Sequence, residues 1–160
     1  MSAYAEAMSI TADLQAALTT AMKARDEVAL SALRQALSAI RTAETAGDEL
    51  VELSDDQVLG VLAVEVRKHH ETADAFVTAG RPERVERARA EAAVLEAFLP
   101  AAIGEDELRT MIAGEIAAAA ESGVTGMKAM GKVVSAVRAK AGPTADGAAI
   151  AAMVKSALAG

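Results

Sequence analysis

The chain has 160 residues, is 52% apolar with only 2% aromatics, and carries a formal net charge of −7. That length suits one domain or two small helical ones with a usable core. There is no cysteine, which excludes disulfides, thiolate zinc sites and a cysteine nucleophile.

Much of the apolar fraction is alanine, the strongest helix former and a poor core filler. The expected fold is therefore all-α, packed through stripes of leucine, valine, isoleucine and methionine. The opening residues Met1-Ser2-Ala3-Tyr4-Ala5-Glu6 show neither a basic n-region nor an apolar h-region. No stretch approaches the roughly 18 uninterrupted apolar residues of a membrane span. A soluble, cytoplasmic chain without membrane contact is expected, ordered from about residue 8 onward.

Helical periodicity with turn signals then divides the sequence. A first helix spans Thr11 to Ala24, with Leu14, Ala17, Leu18, Ala21 and Met22 on one side. Asp26 offers a cap for a second, Glu27 to Thr45, striped by Leu30, Leu33, Leu37 and Ile40, with Gly47 beyond its end. The spacing Ser54-Asp55-Asp56-Gln57 is that of a capping box. It opens a third helix reaching Ala79, with Val58, Leu62, Val66, His69, Ala73 and Phe76 inward. Gly80-Arg81-Pro82 breaks the chain before a fourth helix, Glu83 to Phe98, presenting Val85, Ala88, Ala92, Leu95 and Leu99.

Pro100 marks the expected domain boundary, giving an N-terminal helical domain over residues 1–100 and a helical tail over 101–160. The tail reads as three helices, for about seven in all. The first, Glu105 to Glu121, turns Leu108, Ile112, Ile116 and Ala119 inward and places acids in its first turn, where they complement the helix dipole. Ala117 to Ala120 reads as a close helix contact. Next comes Met127 to Ala141, and after Gly142-Pro143 a last helix, Gly147 to Leu158, capped by Asp146. Met127, Met130 and Met153 fall on the expected inward faces.

Charge divides unevenly. From Ser122 to Gly160 there are five cations, Lys128, Lys132, Arg138, Lys140 and Lys155, against Asp146 alone. Such asymmetry is a prior for contact with a polyanion, and a solvated basic face is the ordinary alternative. At 100° per residue, Met130, Val133, Val134, Val137 and Ala141 form one stripe, and Lys128, Lys132, Arg138 and Lys140 occupy the open arc. Gly131, expected mid-helix, costs about 1 kcal/mol against alanine there, which close approach of a neighbouring helix or a ligand would offset.

The remaining titratable groups build no active site. Glu65 with His69, and His70 with Asp74, share helix faces, but no third metal ligand has suitable spacing and His69 lies on an apolar stripe. Asp55-Asp56 and Glu105-Asp106-Glu107 stand at helix starts, where dipole compensation accounts for them. No Gly-rich phosphate loop of the Walker type is present. Neither a metal nor a cofactor is expected, and an enzyme of unknown type is only the third reading, because the titratable groups form no recognisable active-site constellation.

The run Met127-Lys128-Ala129-Met130-Gly131-Lys132-Val133-Val134, followed by Gly142-Pro143-Thr144-Ala145-Asp146-Gly147 and Val154-Lys155, resembles the tail domain shared by GatB and YqeY proteins. Other stretches are similar to YqeY-type proteins in order: Ala21 to Asp26, Leu33-Arg34, Glu65 to Lys68, Ala79-Gly80-Arg81 and Leu95 to Pro100. The resemblance implies kinship with a tail that touches tRNA in glutamine-dependent amidotransferases, and hence a family label of carbon–nitrogen ligase with glutamine as amido-N-donor. On this reading the label marks kinship and not an activity of a chain too short for the phosphorylating cradle. By motif position, Lys128, Gly131, Lys132 and Lys155 are the residues implied to contact RNA, with Arg138 and Lys140 added by charge. Pro143-Thr144 departs from the family pattern and thins the positive field at that turn.

Aromatic platforms that stack bases are scarce, since Tyr4, Phe76 and Phe98 are the only aromatics and the last two lie on inward stripes. Recognition of a folded tRNA by shape and phosphates is the expectation. The alternative is a protein–protein adaptor that docks a synthetase or an amidotransferase subunit through its helical faces.

Overall fold

The computed structural model describes residues 9–160, so the readings of the first eight residues, Tyr4 included, lie outside it. The described residues form seven α-helices and one 3₁₀ turn. The helices are α1 (Ile10–Ala24), α2 (Glu27–Glu44), α3 (Asp55–Thr78), α4 (Pro82–Glu96), α5 (Glu105–Glu121), α6 (Met130–Ala141) and α7 (Gly147–Ala159). No strand occurs among the described residues, so the fold is all-α. The chain divides into two compact units, the first ending at Leu99 and the second starting at Pro100.

In the first unit the ends of the helices follow from local chemistry. Arg25 adopts the left-handed conformation at φ 55°, letting the Asp26 N–H donate to the Ala21 carbonyl at 3.0 Å. Asp26 then accepts from the Ala29 N–H at 3.1 Å and starts α2. At α3 the capping box is complete. Ser54 Oγ accepts from the Gln57 N–H at 3.3 Å, and Gln57 Oε1 accepts from the Ser54 N–H at 2.9 Å. Gly80, at φ 67°, and Pro82, at the first helical position, make the corner between α3 and α4.

The apolar faces of all four helices meet in one core. Leu14, Leu33, Ile40, Leu62 and Leu95 are its largest fully buried side chains. Each contributes about 1.5–3 kcal/mol relative to exposure. Toward the α3–α4 corner a separate small cluster forms from Ala73, Val85 and Ala88, with Phe76 packed on it. One inward expectation fails in this unit. Met22 is 55% exposed because it sits at the margin of its stripe in the last turn of α1. Phe76 and Phe98 are half-buried and pack against the cores as expected, although α4 ends two residues before Phe98.

The second unit packs α5, α6 and α7 around Ile112, Val133, Val137, Ile150 and Val154. Asp146 caps α7 by accepting from the N–H groups of Ala148 and Ala149 at 3.0 and 3.4 Å. The expected helix from Met127 is corrected here. Residues Gly126–Ala129 form a 3₁₀ turn, and α6 begins only at Met130. Gly126 stands at φ 63°, and the tighter turn advances about 120° per residue instead of 100°. Ala129 is thereby buried while Met127 is left 51% exposed, contrary to its expected inward position.

Candidate nucleic-acid interface

Glycine 131 lies in the first turn of α6 rather than mid-helix. A Cβ added there would meet nothing within 4 Å, so no neighbouring helix among the described residues explains the glycine. It lines a shallow cleft of about 490 Å³ with Val134, Ser135, Arg138 and, from α7, Ala151.

The five cations of this region separate into two groups. Lys128, Lys132 and Lys155 are exposed and have no ion pair or hydrogen bond among the described residues. The 3₁₀ turn that carries Lys128 packs on both α6 and α7. Those two helices are joined by a five-residue connection and pack side by side, an antiparallel hairpin. Lys128 lies in that 3₁₀ turn, Lys132 in the first turn of α6 and Lys155 in the third turn of α7. Arg138 and Lys140 each lie against a neighbouring helix, although Arg138 too is exposed and has no ion pair or hydrogen bond among the described residues. Lys140 Nζ is 2.5 Å from Glu115 Oε1 on α5. The Arg138 guanidinium lies against Gly147, where an added Cβ would stand 3.0 Å from its Cζ.

The split follows from the helical projection, since Arg138 and Lys140 flank the buried Val133–Val137 stripe and reach the neighbouring helices. Sequence reasoning overlooked Glu115, although a signal was available. It sits three residues after Ile112 and seven after Leu108, and an acid on an inward stripe calls for a partner.

Counting from Pro100 to Gly160, six cations balance six acids, and five of those acids lie on α5. The unit as a whole is neutral, so positive charge is a local property of the α6–α7 face.

The histidine cluster has a different geometry from the one its spacing suggests. Glu65 pairs with Lys68 at 2.9 Å, and His70 pairs with Glu96 on α4 at 2.6 Å rather than with Asp74. His69 is buried, with Nδ1 3.4 Å from Glu91 Oε2, while Arg87 Nε donates to Glu91 Oε1 at 2.8 Å. His69 Nε2 has no partner among the described residues. Glu91 is the second inward acid that the sequence displays, three residues after Ala88 and four before Leu95. No group of three metal-ligating side chains occurs among the described residues. None of the described helices is long and apolar enough to cross a membrane.

Two all-helical units, the second carrying three exposed lysines without ion pairs among the described residues, define a helical protein. The family model described as Yqey-like protein matches residues 11–158, and the chain belongs to the YqeY family. No curated protein matches it.

Proposed function

We propose that this YqeY protein is a non-catalytic, tRNA-associated module that contacts a folded RNA through the α6–α7 hairpin of its second unit. The observation that carries this reading is that Lys128, Lys132 and Lys155 of the second unit are exposed and have no ion pair or hydrogen bond among the described residues. Lysine ammoniums act as point charges on phosphates and supply no base-specific readout. An uncrowded glycine lets a sugar–phosphate backbone come close to the helix. Arg138 extends the same surface along the cleft, while Lys140 is already neutralised by Glu115.

The test is binding of bulk tRNA across a salt series, comparing the natural chain with Lys128→Ala/Lys132→Ala. About three phosphate contacts give a log–log slope of about −2 to −3, falling toward −1 in the double variant. No binding at low salt, with the helical circular dichroism intact, ends the RNA reading.

A second reading, a protein–protein adaptor, draws on a different surface. Between α5 and α7 an open groove of about 580 Å³ is floored by Ile112, Ala113, Ile116, Ala117 and Met153. The alanines expected to make a close helix contact thus face open space in part, with Ala117 and Ala120 exposed. A helix of a synthetase or an amidotransferase subunit fits such a groove, and pull-down from lysate with an Ala117→Arg control tests it.

A further inference from the structure

In the first unit, α1 and α2 present two facing rows with the same helical spacing. On α1 the row includes Thr11 and Gln15; on α2 it is Arg34, Ser38 and Arg41, spaced i, i+4 and i+7. Together they line a groove of about 460 Å³, within the size range of small-molecule sites. Its floor is apolar, from Leu18 and the buried Ile40. None of these five polar side chains has a hydrogen-bond or ion-pair partner among the described residues. Two guanidiniums, one amide and two hydroxyls thus offer donors to one groove, and the single carboxylate in the lining is Glu44.

The other grooves differ in how far their donors are already engaged. Along α2 and α3 a groove of about 730 Å³ shares Arg34 and Ser38, but its second cation, Lys68, pairs with Glu65 and its amide, Gln35, donates to Ser31. Beside the α3–α4 corner, Arg81 and Arg89 flank a lining with no hydroxyl or amide side chain. In the α5–α7 groove, Arg109 is already paired with Glu105 and Asp106.

We propose that the α1–α2 groove binds a small phosphate-bearing molecule, the phosphate held by Arg34 and Arg41 and the organic part lying on Leu18. Guanidinium is the group best matched to phosphate oxygens, and hydroxyl and amide donors complete such a shell. The first unit holds ten cations against seventeen acids, so attraction must come from these local donors and not from the unit's overall field.

The experiment titrates the ¹⁵N-labelled full chain with inorganic phosphate and with phenyl phosphate at pH 7.5, ionic strength held constant with chloride. Saturable shifts confined to residues 11–18 and 34–44, including the Gln15 side-chain amide, are expected. Phenyl phosphate should bind more tightly than inorganic phosphate, and Arg34→Gln/Arg41→Gln should weaken both at least tenfold. Both arginines are exposed, so that variant should keep its fold, checked by its unchanged spectrum elsewhere. Shifts equal to those with chloride alone, or unchanged affinity in the double variant, would overturn the proposal. So would a short oligoribonucleotide that displaced phenyl phosphate from the groove at equal phosphate concentration. The groove lies in the first unit, so its failure and the failure of the RNA reading are separately observable.

Discussion

Lys132 and Lys140 stand on the same helix, yet Lys132 points to solvent and Lys140 to Glu115. Replacing Lys140 with alanine should cost 0 to about 1 kcal/mol, because its ammonium is largely exposed. It should leave the slope of tRNA binding against salt unchanged, whereas Lys132→Ala should reduce it by about 1. Gly131 allows a test in which stability and binding move oppositely. Gly131→Ala meets no clash, and it should stabilise the second unit by up to about 1 kcal/mol in urea melts. In the same variant tRNA affinity should fall, since the added methyl holds a backbone away from α6. A loss of stability would show that Gly131 packs closely against a neighbour. At this scale the identities of the cations were legible in the sequence, but their freedom was not. Whether a lysine is free depends on what the next helix places beside it.

The starts of the elements were the most legible features. Asp26, Ser54 with Gln57, and Asp146 all cap the helices expected of them, because a cap involves only residues two or three apart. Asp146→Ala should therefore cost about 1 kcal/mol, read as a lower urea midpoint with an unchanged m-value. The start of α6 was not legible. Its turn is 3₁₀ instead of α, which changed the fates of Met127 and Ala129 together. The alternative hydrogen-bonding patterns differ by little locally, and burial of Ala129 against Ile150 and Val154 favours the observed one.

Across the whole molecule, two cores with no shared buried residue hold the two units. Ile150 is 1% exposed, and Ile150→Ala should cost about 2–5 kcal/mol of the second unit's stability. Hydrogen exchange should then accelerate over residues 105–159 while the slowest amides of α2 and α3 keep their protection. A uniform loss across both units would show that they unfold as one.

The sequence by itself determined the all-α class, most of the helix limits and most of the inward stripes. These rest on propensity and on contacts within one or two turns, which are written in consecutive residues. Tertiary structure alone decided that His69 faces Glu91, that Lys140 is spent on Glu115, and that Arg34 and Arg41 line a groove with Gln15. Each of those outcomes depends on the rotation and approach of two separate helices, which is set when their apolar faces pack together and is not encoded in the spacing of either one.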